Sequence, residues 1–375
     1  MRVTFVLPTY LDSPSGGFKV VYEYASRLQE RGHQVSVVHP RRIEPRNEIK
    51  DRVKSRLWSF RLRLKHRPLI SWINIHPEVR LVLVPDLREE FIPDGDAIFA
   101  TAYETAFWVN GYGARKGRGF YLIQSYENWS GPDDKVRQSW LLPLRKVVIS
   151  QWLMDIARSY GEEDRTDYIP IGLDFSRFGI TIPMGQRNAP RVGMLAHLNE
   201  NKGMKDGISA LEMVRAEVPG LQAVLFGSHP RNAEIPEWVE YVRQPSQERL
   251  VNLYNSCQVF LNPSWMEGWG LTSAEAMACG CALVSTANGG VNEFAANGES
   301  VLLAPVKAPE ELARLLLRVL QNKELRRRLA RKGSEQIQRF TWDRAVSSLE
   351  KLLIGDETKA LRPDDEATIS LRHST

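Results

Sequence analysis

The sequence predicts an α/β protein made of two successive domains, each with a parallel, doubly wound sheet. Three observations carry that expectation. The chain has 375 residues, room for about two domains of ordinary size. Apolar runs of strand length alternate with amphipathic runs of helix length, the pattern that favours parallel sheets. The alternation breaks at a loop-like stretch, "FSRFGITIPMGQRNAP", and then restarts.

The elements follow in chain order. "RVTFVLPT" is apolar and β-prone, and "YLDSPSGG" after it is rich in turn formers. "FKVVYEYASRLQERG" places Val20, Tyr24 and Leu28 on one helical face and closes on Gly32. "HQVSVVHP" is the next strand. Gly16 and Gly17 lack a dinucleotide fingerprint, but they leave bare backbone N–H groups at a helix start, a place for an anion. "DAIFAT", "GFYLIQ" and "KVVIS" read as further strands, followed by a helix over "QWLMDIARSYG" and then "TDYIPIGLD". Past the break, strands at "RVGMLAHL", "LQAVLFG", "QVFLNPS", "CALVSTA" and "ESVLLAP" alternate with helices over 203–217, over "QERLVNLYNS" and after Trp269. Helices run from Pro309 to about Leu353, and "GDETKALRPDDEATISLRHST" lacks apolar periodicity, as a mobile tail would. The expected division is 1–173, a linker over 174–190, 191–340, a last helix over 341–354 and a tail over 355–375.

Composition narrows the classes. Apolar residues make up 43%, enough for soluble cores, and no apolar run approaches the roughly 20 residues that span a bilayer. "MRVTFVLPTY" lacks the apolar core and cleavage site of a secretory leader and reads as a first strand. Three cysteines, Cys257, Cys279 and Cys281, argue for a reducing compartment, and no partner pair stands at zinc-ligand spacing, so they are expected as small buried hydrophobes and no metal is expected. The net charge of +5 is local. Residues 41–68 hold eleven Lys/Arg against three Asp/Glu, +8, so the remainder carries −3. Within that segment Ile49, Val53, Leu57, Phe60 and Leu64 form one stripe of a helix. Such a helix can lie on an anionic bilayer, with Arg61, Arg63 and Lys65 toward the headgroups, or pack on the sheet with a solvated basic face. No nucleic-acid-binding motif appears. The expected location is the cytoplasm, on the inner face of the cell membrane.

Candidate chemical groups fall just after strands, where such sheets bind ligands. His197, Asn199 and Lys202 follow "RVGMLA"; Ser228 follows "AVLFG"; Glu267 follows "VFLNPS"; Gly289, Gly290 and Glu293 follow "LVSTA". With two halves facing, the site belongs in the cleft between them. In "EGWGLTSAE", Thr272 and Glu275 also read as a capping box, which accounts for Glu275 without a ligand but leaves Glu267 unexplained.

"NPSWMEGWGLTSAEAMACGCALVSTANGGVNEF" resembles the signature of glycosyltransferase family 4: a Glu, seven residues, a second Glu, an Ala-Met-Ala-Cys-Gly run and a Gly-Gly…Glu. "SGGFKVVYEYASRLQERGHQV" is similar to the family's first glycine loop and helix, and the likeness continues through "VVISQWLMDIARSYG", "IPIGLD" and the C-terminal helices. "FYLIQSYENWSGP" resembles rhamnosyltransferase-like members that build polysaccharides. The resemblance implies a GT-B fold, with two Rossmann-like domains facing across a cleft and C-terminal helices crossing back. It implies a retaining transferase that needs no cofactor and takes a nucleotide-diphosphate sugar, with UDP, GDP or dTDP left open, and a glycan or lipid-linked acceptor. It implies that Lys202 binds the diphosphate, that Glu267 sits at the donor sugar near the reacting carbon, and that Glu275 holds ribose hydroxyls. Gly16, Gly17, His197, Asn199, Ser228, Arg243, Gln244, Gly268, Trp269, Gly270, Leu271 and Thr272 complete the donor set. Tyr103, Gln124 and Glu127 stand on the acceptor side, where the family carries a histidine. The chain departs from the family at His197, where arginine is usual, at Ile171 for asparagine and at Thr272 for proline. A sugar-nucleotide-binding protein without transfer activity, and a GT-B epimerase or hydrolase, are the alternatives.

Overall fold

The computed structural model describes residues 1–45, 68–187 and 189–360. The basic stripe of residues 49–64, with Arg61 and Arg63, and Lys65 beside it, lies outside these residues, as does the chain beyond 360.

The first sheet has seven parallel strands in the order β3-β2-β1-β4-β5-β6-β7: β1 Arg2–Val6, β2 Gln34–Pro40, β3 Arg80–Val84, β4 Ala97–Ala100, β5 Arg118–Ile123, β6 Arg145–Val148 and β7 Thr166–Tyr168. Helices α1 Gly16–Glu30, α2 Tyr103–Asn110, α3 Asp133–Trp140 and α4 Gln151–Ser159 connect or flank them. The second sheet has six, in the order β10-β9-β8-β11-β12-β13: β8 Arg191–Leu195, β9 Gln222–Gly227, β10 Glu240–Arg243, β11 Val259–Asn262, β12 Ala282–Thr286 and β13 Val301–Ala304. Its helices are α5 Met204–Glu217, α6 Gln247–Ser256, α7 Leu271–Ala278, α8 Pro309–Gln321 and α9 Lys323–Ile337, and α10 Trp342–Ala360 ends the described chain.

Why these residues fold this way is clear in a few places. The central strands are apolar on both faces because helices cover both. Phe99 on β4 stacks between Phe5 and Phe120 at 4.9 and 4.8 Å, tying the three middle strands together. Leu312, Leu316 and Val319 recur on one face of α8 and are fully buried there, each worth roughly 1.5–3 kcal/mol of transfer free energy. The edge strands β3 and β10 are only half-buried; β10 lacks the apolar run that marks the others, while β3 keeps one at 81–84. The sequence reading passed over both, along with the short helices α2 and α3.

The stretch between the sheets is sewn to the second domain. The buried Arg187 guanidinium donates to the carbonyls of Ile182, Cys257 and Cys279 and to Asn255. At the other end α10 lies against the first domain: Arg31 bonds Glu350, Arg118 bonds the Leu353 carbonyl, and Tyr24 meets Trp342 edge-on at 5.2 Å. This helix runs on to Ala360, into the stretch expected as tail, since an existing helix propagates at little cost. All three cysteines are free and buried. Among the described residues, no helix is long and apolar enough to cross a membrane, and no three His, Cys, Asp or Glu side chains gather as a metal site.

Candidate active site

In each sheet the strand order reverses beside the first strand, between β1 and β4 and between β8 and β11. Ligands of open α/β sheets bind at such points, beyond the carboxyl ends of the strands. The loops leaving these four strands carry Gly16-Gly17, Tyr103, Lys202 and Glu267.

The loop after β8 is built to present Lys202. His197 Nδ1 accepts from the Asn199 N–H at 3.0 Å, and Asn199 Oδ1 accepts from the Asn201 N–H at 2.9 Å. Gly203 then turns the chain at φ 59° into α5, with its Cα so close to Pro263 that a Cβ would stand 2.0 Å from that carbonyl oxygen. Lys202 Nζ emerges 2.7 Å from Glu267 Oε2, while Ser264 Oγ donates to Oε1 at 2.8 Å. Glu267 is also fixed through its backbone, its N–H donating to Asn288 at 3.0 Å. Burial first, then the Lys202 charge and His229, push the His197 pKa down. A neutral ring whose Nδ1 accepts must carry its proton on Nε2, so His197 offers one neutral N–H donor where the resembled family has a cation.

Glu275 corrects the sequence reading. Helix α7 starts at Leu271 behind Gly270, whose φ of 100° only glycine adopts easily, so Thr272 is the second helical residue and caps nothing. The Glu275 carboxylate has other partners. Lys19 of the first domain donates to Oε1 at 2.5 Å, and Tyr254 donates to Oε2 at 3.0 Å. Trp269 is 2% exposed and its ring packs on Phe294 and Phe340.

The cleft is closed over this loop. Gly16 lies against Leu271, and a Cβ on Gly268 would stand 1.7 Å from the Gln124 carbonyl oxygen. Gln124 Nε2 in turn donates to the Gly17 carbonyl at 3.1 Å. Trp152 Nε1 of α4 donates to the Gly268 carbonyl at 3.1 Å and its ring covers Gly289. Glu293 sits at the first turn of α4, accepting from the Gln151 N–H and the Tyr168 hydroxyl, and so bridges the two domains. Lys19 and Trp152 were missed by sequence reasoning, since neither carries a motif. Ser228, Arg243 and Gln244 lie at the same sheet edge, Gly227 pairing with Arg243 and accepting from the Gln244 N–H at 2.7 Å, with Gln244 at a φ of 45°. No contact joins these three to Glu267 or Lys202 among the described residues.

On the acceptor side, the Tyr103 N–H donates to Glu127 Oε2 at 2.7 Å. Burial, with a smaller push from Glu104, raises the Glu127 carboxyl to about 8 although the residue keeps some exposure. It therefore holds its proton at neutral pH and can donate to a hydroxyl. The native group keeps that proton up to about pH 8, whereas the unfolded one releases it near 4.5, so stability falls as pH rises across that window. Glu127→Gln abolishes the dependence. Its stability relative to wild type should improve by on the order of 3 kcal/mol between pH 5 and 8.5 in urea denaturation. An offset that stays constant with pH would show that Glu127 is not protonated in the native state.

The family described as glycosyl transferases group 1 matches residues 185–336, the segment that carries Lys202, Glu267 and Glu275. That segment belongs to the group 1 glycosyl transferases. An uncharacterized glycosyltransferase of Methanocaldococcus jannaschii is 30% identical over 114 residues, 30% of this chain and 32% of that protein. Phosphatidyl-myo-inositol mannosyltransferase of Mycolicibacterium smegmatis is 23% identical across 91% of this chain and 90% of its own. The chain spans only about a quarter to a third of the first curated relatives it matches, at 32%, 23% and 23% of their lengths. Anabaena HepE, solved with UDP and glucose, superposes with a TM-score of 0.70 over 95% of this chain and 100% of its own, at 16% identity. The fold is therefore GT-B, and the group 1 glycosyl transferase segment is its second Rossmann-like domain.

Proposed function

We propose that the protein transfers a sugar from a nucleotide-diphosphate donor to a hydroxyl of a glycan or lipid-linked acceptor, with retention at the anomeric carbon, in the synthesis of cell-surface polysaccharide or glycolipid. The observation that carries this reading is the pairing of Lys202 with Glu267 at the reversal point of the second sheet, facing the glycine loop of the first. A carboxylate beside a diphosphate is repelled unless a cation stands with it; unit charges 4 Å apart interact by roughly 4 kcal/mol at an effective dielectric of 20. Lys202 supplies that cation. The C1–O bond to the leaving phosphate breaks as an oxocarbenium-like sugar forms, and its electron pair stays on the phosphate. Lys202 and the N-terminal amides of α7 stabilise the charge that grows there, so this chemistry calls for no metal. The acceptor oxygen bonds to C1 from the face the phosphate leaves, and its proton passes to a phosphate oxygen. Glu267 accepts from a sugar hydroxyl and orients the ring without becoming a covalent nucleophile. Glu275 accepts from the ribose, with Gly16, Gly17 and His197 near the diphosphate and Tyr103, Gln124 and Glu127 around the acceptor. The UDP bound by HepE favours a uridine nucleotide over GDP or dTDP. Residues 49–64, with Lys65, are proposed to hold the enzyme on the anionic inner face of the membrane, in the cytoplasm, where lipid-linked acceptors lie.

One set of measurements tests the reading. Calorimetric titration with UDP, GDP and dTDP should show binding of one, and turnover of the corresponding nucleotide sugar should require an added acceptor. The protein should also sediment with anionic vesicles at low salt. Binding without turnover would leave a sugar-nucleotide-binding protein, and turnover without acceptor an epimerase or hydrolase.

A further inference from the structure

The proposed function gives Lys19 no role, yet it makes the closest charged contact across the cleft. It stands on the first turn of α1, two residues after Gly17, and reaches Glu275 on α7, 256 residues away, at 2.5 Å. Both side chains are nearly out of solvent, 15% and 4% exposed. The Lys19 ammonium also lies 4.9 Å from the centre of the Phe178 ring, in the stretch that joins the two sheets. The pair can exist only with the domains together.

An ionised carboxylate accepts about four hydrogen bonds. Lys19 and Tyr254 account for two, one on each oxygen, which leaves capacity for a diol. A ribose therefore need not displace Lys19. The difficulty for Glu275 is its charge: a buried carboxylate brought near a diphosphate needs a cation beside it to offset both burial and repulsion.

We propose that Lys19 is a positioning residue of the nucleotide site. The first domain delivers it to offset the buried charge of Glu275 and hold that carboxylate in place, so that nucleotide recognition is complete only when the cleft is closed. The inference rests on the reading of Glu275 as the ribose partner. It makes the first domain part of donor recognition as well as acceptor recognition, and it makes Lys19 act through Glu275 and not on the phosphates.

The test is a double-mutant cycle on the full chain, with UDP, GDP and dTDP each titrated by calorimetry. Lys19→Met should weaken the nucleotide that the wild type binds by about tenfold, and Lys19→Arg should keep affinity within about threefold. In a Glu275→Gln background the carboxylate charge is gone, and Lys19→Met should then change affinity less than about twofold. Thermal unfolding of each variant checks that it is folded. Equal losses in both backgrounds would mean that Lys19 binds the diphosphate itself and would overturn the proposal. No loss in either would make the pair purely structural, and tighter binding by Lys19→Met would make Lys19 a competitor; either also overturns it. A wild type that binds none of the three nucleotides sinks the functional reading and this inference together, whereas binding with additive effects sinks this inference alone.

Discussion

Lys202→Ala is expected to lower kcat by roughly 10²–10³-fold, the loss typical of removing one preorganised group from a developing oxyanion. The size follows from where the ammonium is held. The loop from His197 to Gly203 is closed by four internal hydrogen bonds and a left-handed glycine, so Nζ is aimed before any donor arrives. Charge that grows on the leaving phosphate meets a cation already in place, and no reorganisation is needed during bond breaking. A group that acts on the transition state lowers kcat and kcat/KM together when it is lost, whereas a group that only binds donor raises KM. His197 does not take over: the variant loses the Lys202 charge, but burial, the larger cause, still pushes the His197 pKa down. Glu267→Gln keeps a side-chain oxygen for Ser264 but gives up the charge that pairs with Lys202; at saturating donor it should fall at least about tenfold in kcat. Steady-state rates with donor and acceptor both varied decide the matter. A Lys202→Ala enzyme within threefold of the wild-type kcat would show that the ammonium is a docking charge only.

The same loop shows how far a sequence can be read. His197, Lys202 and Glu267 were legible because each follows an apolar strand, and parallel topology alone puts strand exits at one edge. The order of strands then brings β8 beside β11, which turns 65 residues of separation into a 2.7 Å contact. The capping reading of Thr272 and Glu275 failed for the opposite reason. Thr272 and Glu275 satisfy a local capping pattern, and local patterns are all that spacing reveals. The carboxylate instead takes a lysine from the other domain, a stronger partner than a backbone N–H and one that no spacing encodes. The partners of Trp152 and of Glu293, itself placed by its strand exit, were opaque in the same way, since they lie across the cleft. Strand β10 escaped because this edge strand, EYVR, buries too little to show a continuous apolar run, whereas β3 carries one at 81–84 and was overlooked.

Gly268→Ala is expected to cut kcat/KM by about 100-fold while leaving both domains folded, because a misplacement of about 1 Å at a reacting geometry is enough for that loss. The added Cβ would stand 1.7 Å from the Gln124 carbonyl oxygen and 2.8 Å from its carbon, backbone that cannot rotate away. On its other side Gly268 is held by Trp152, which donates to its carbonyl. Inside one domain such a clash would distort the core. Between two domains that meet through noncovalent contacts, the cheaper relief is to open the cleft. Opening separates Gln124 from Gly268, parts Lys19 from Glu275, and pulls the first domain away from Glu267. Two comparisons isolate the cause. Gly290→Ala meets Trp269 backbone at 2.7 Å within the second domain, so it should lower the melting temperature as well as the rate. Gly179→Ala meets nothing within 4 Å and should behave as wild type. For Gly268→Ala, the melting transition should stay close to that of the wild type and small-angle scattering should show a larger radius of gyration. Wild-type kcat/KM in that variant would mean that the close approach of Gln124 to Gly268 is not part of the working enzyme.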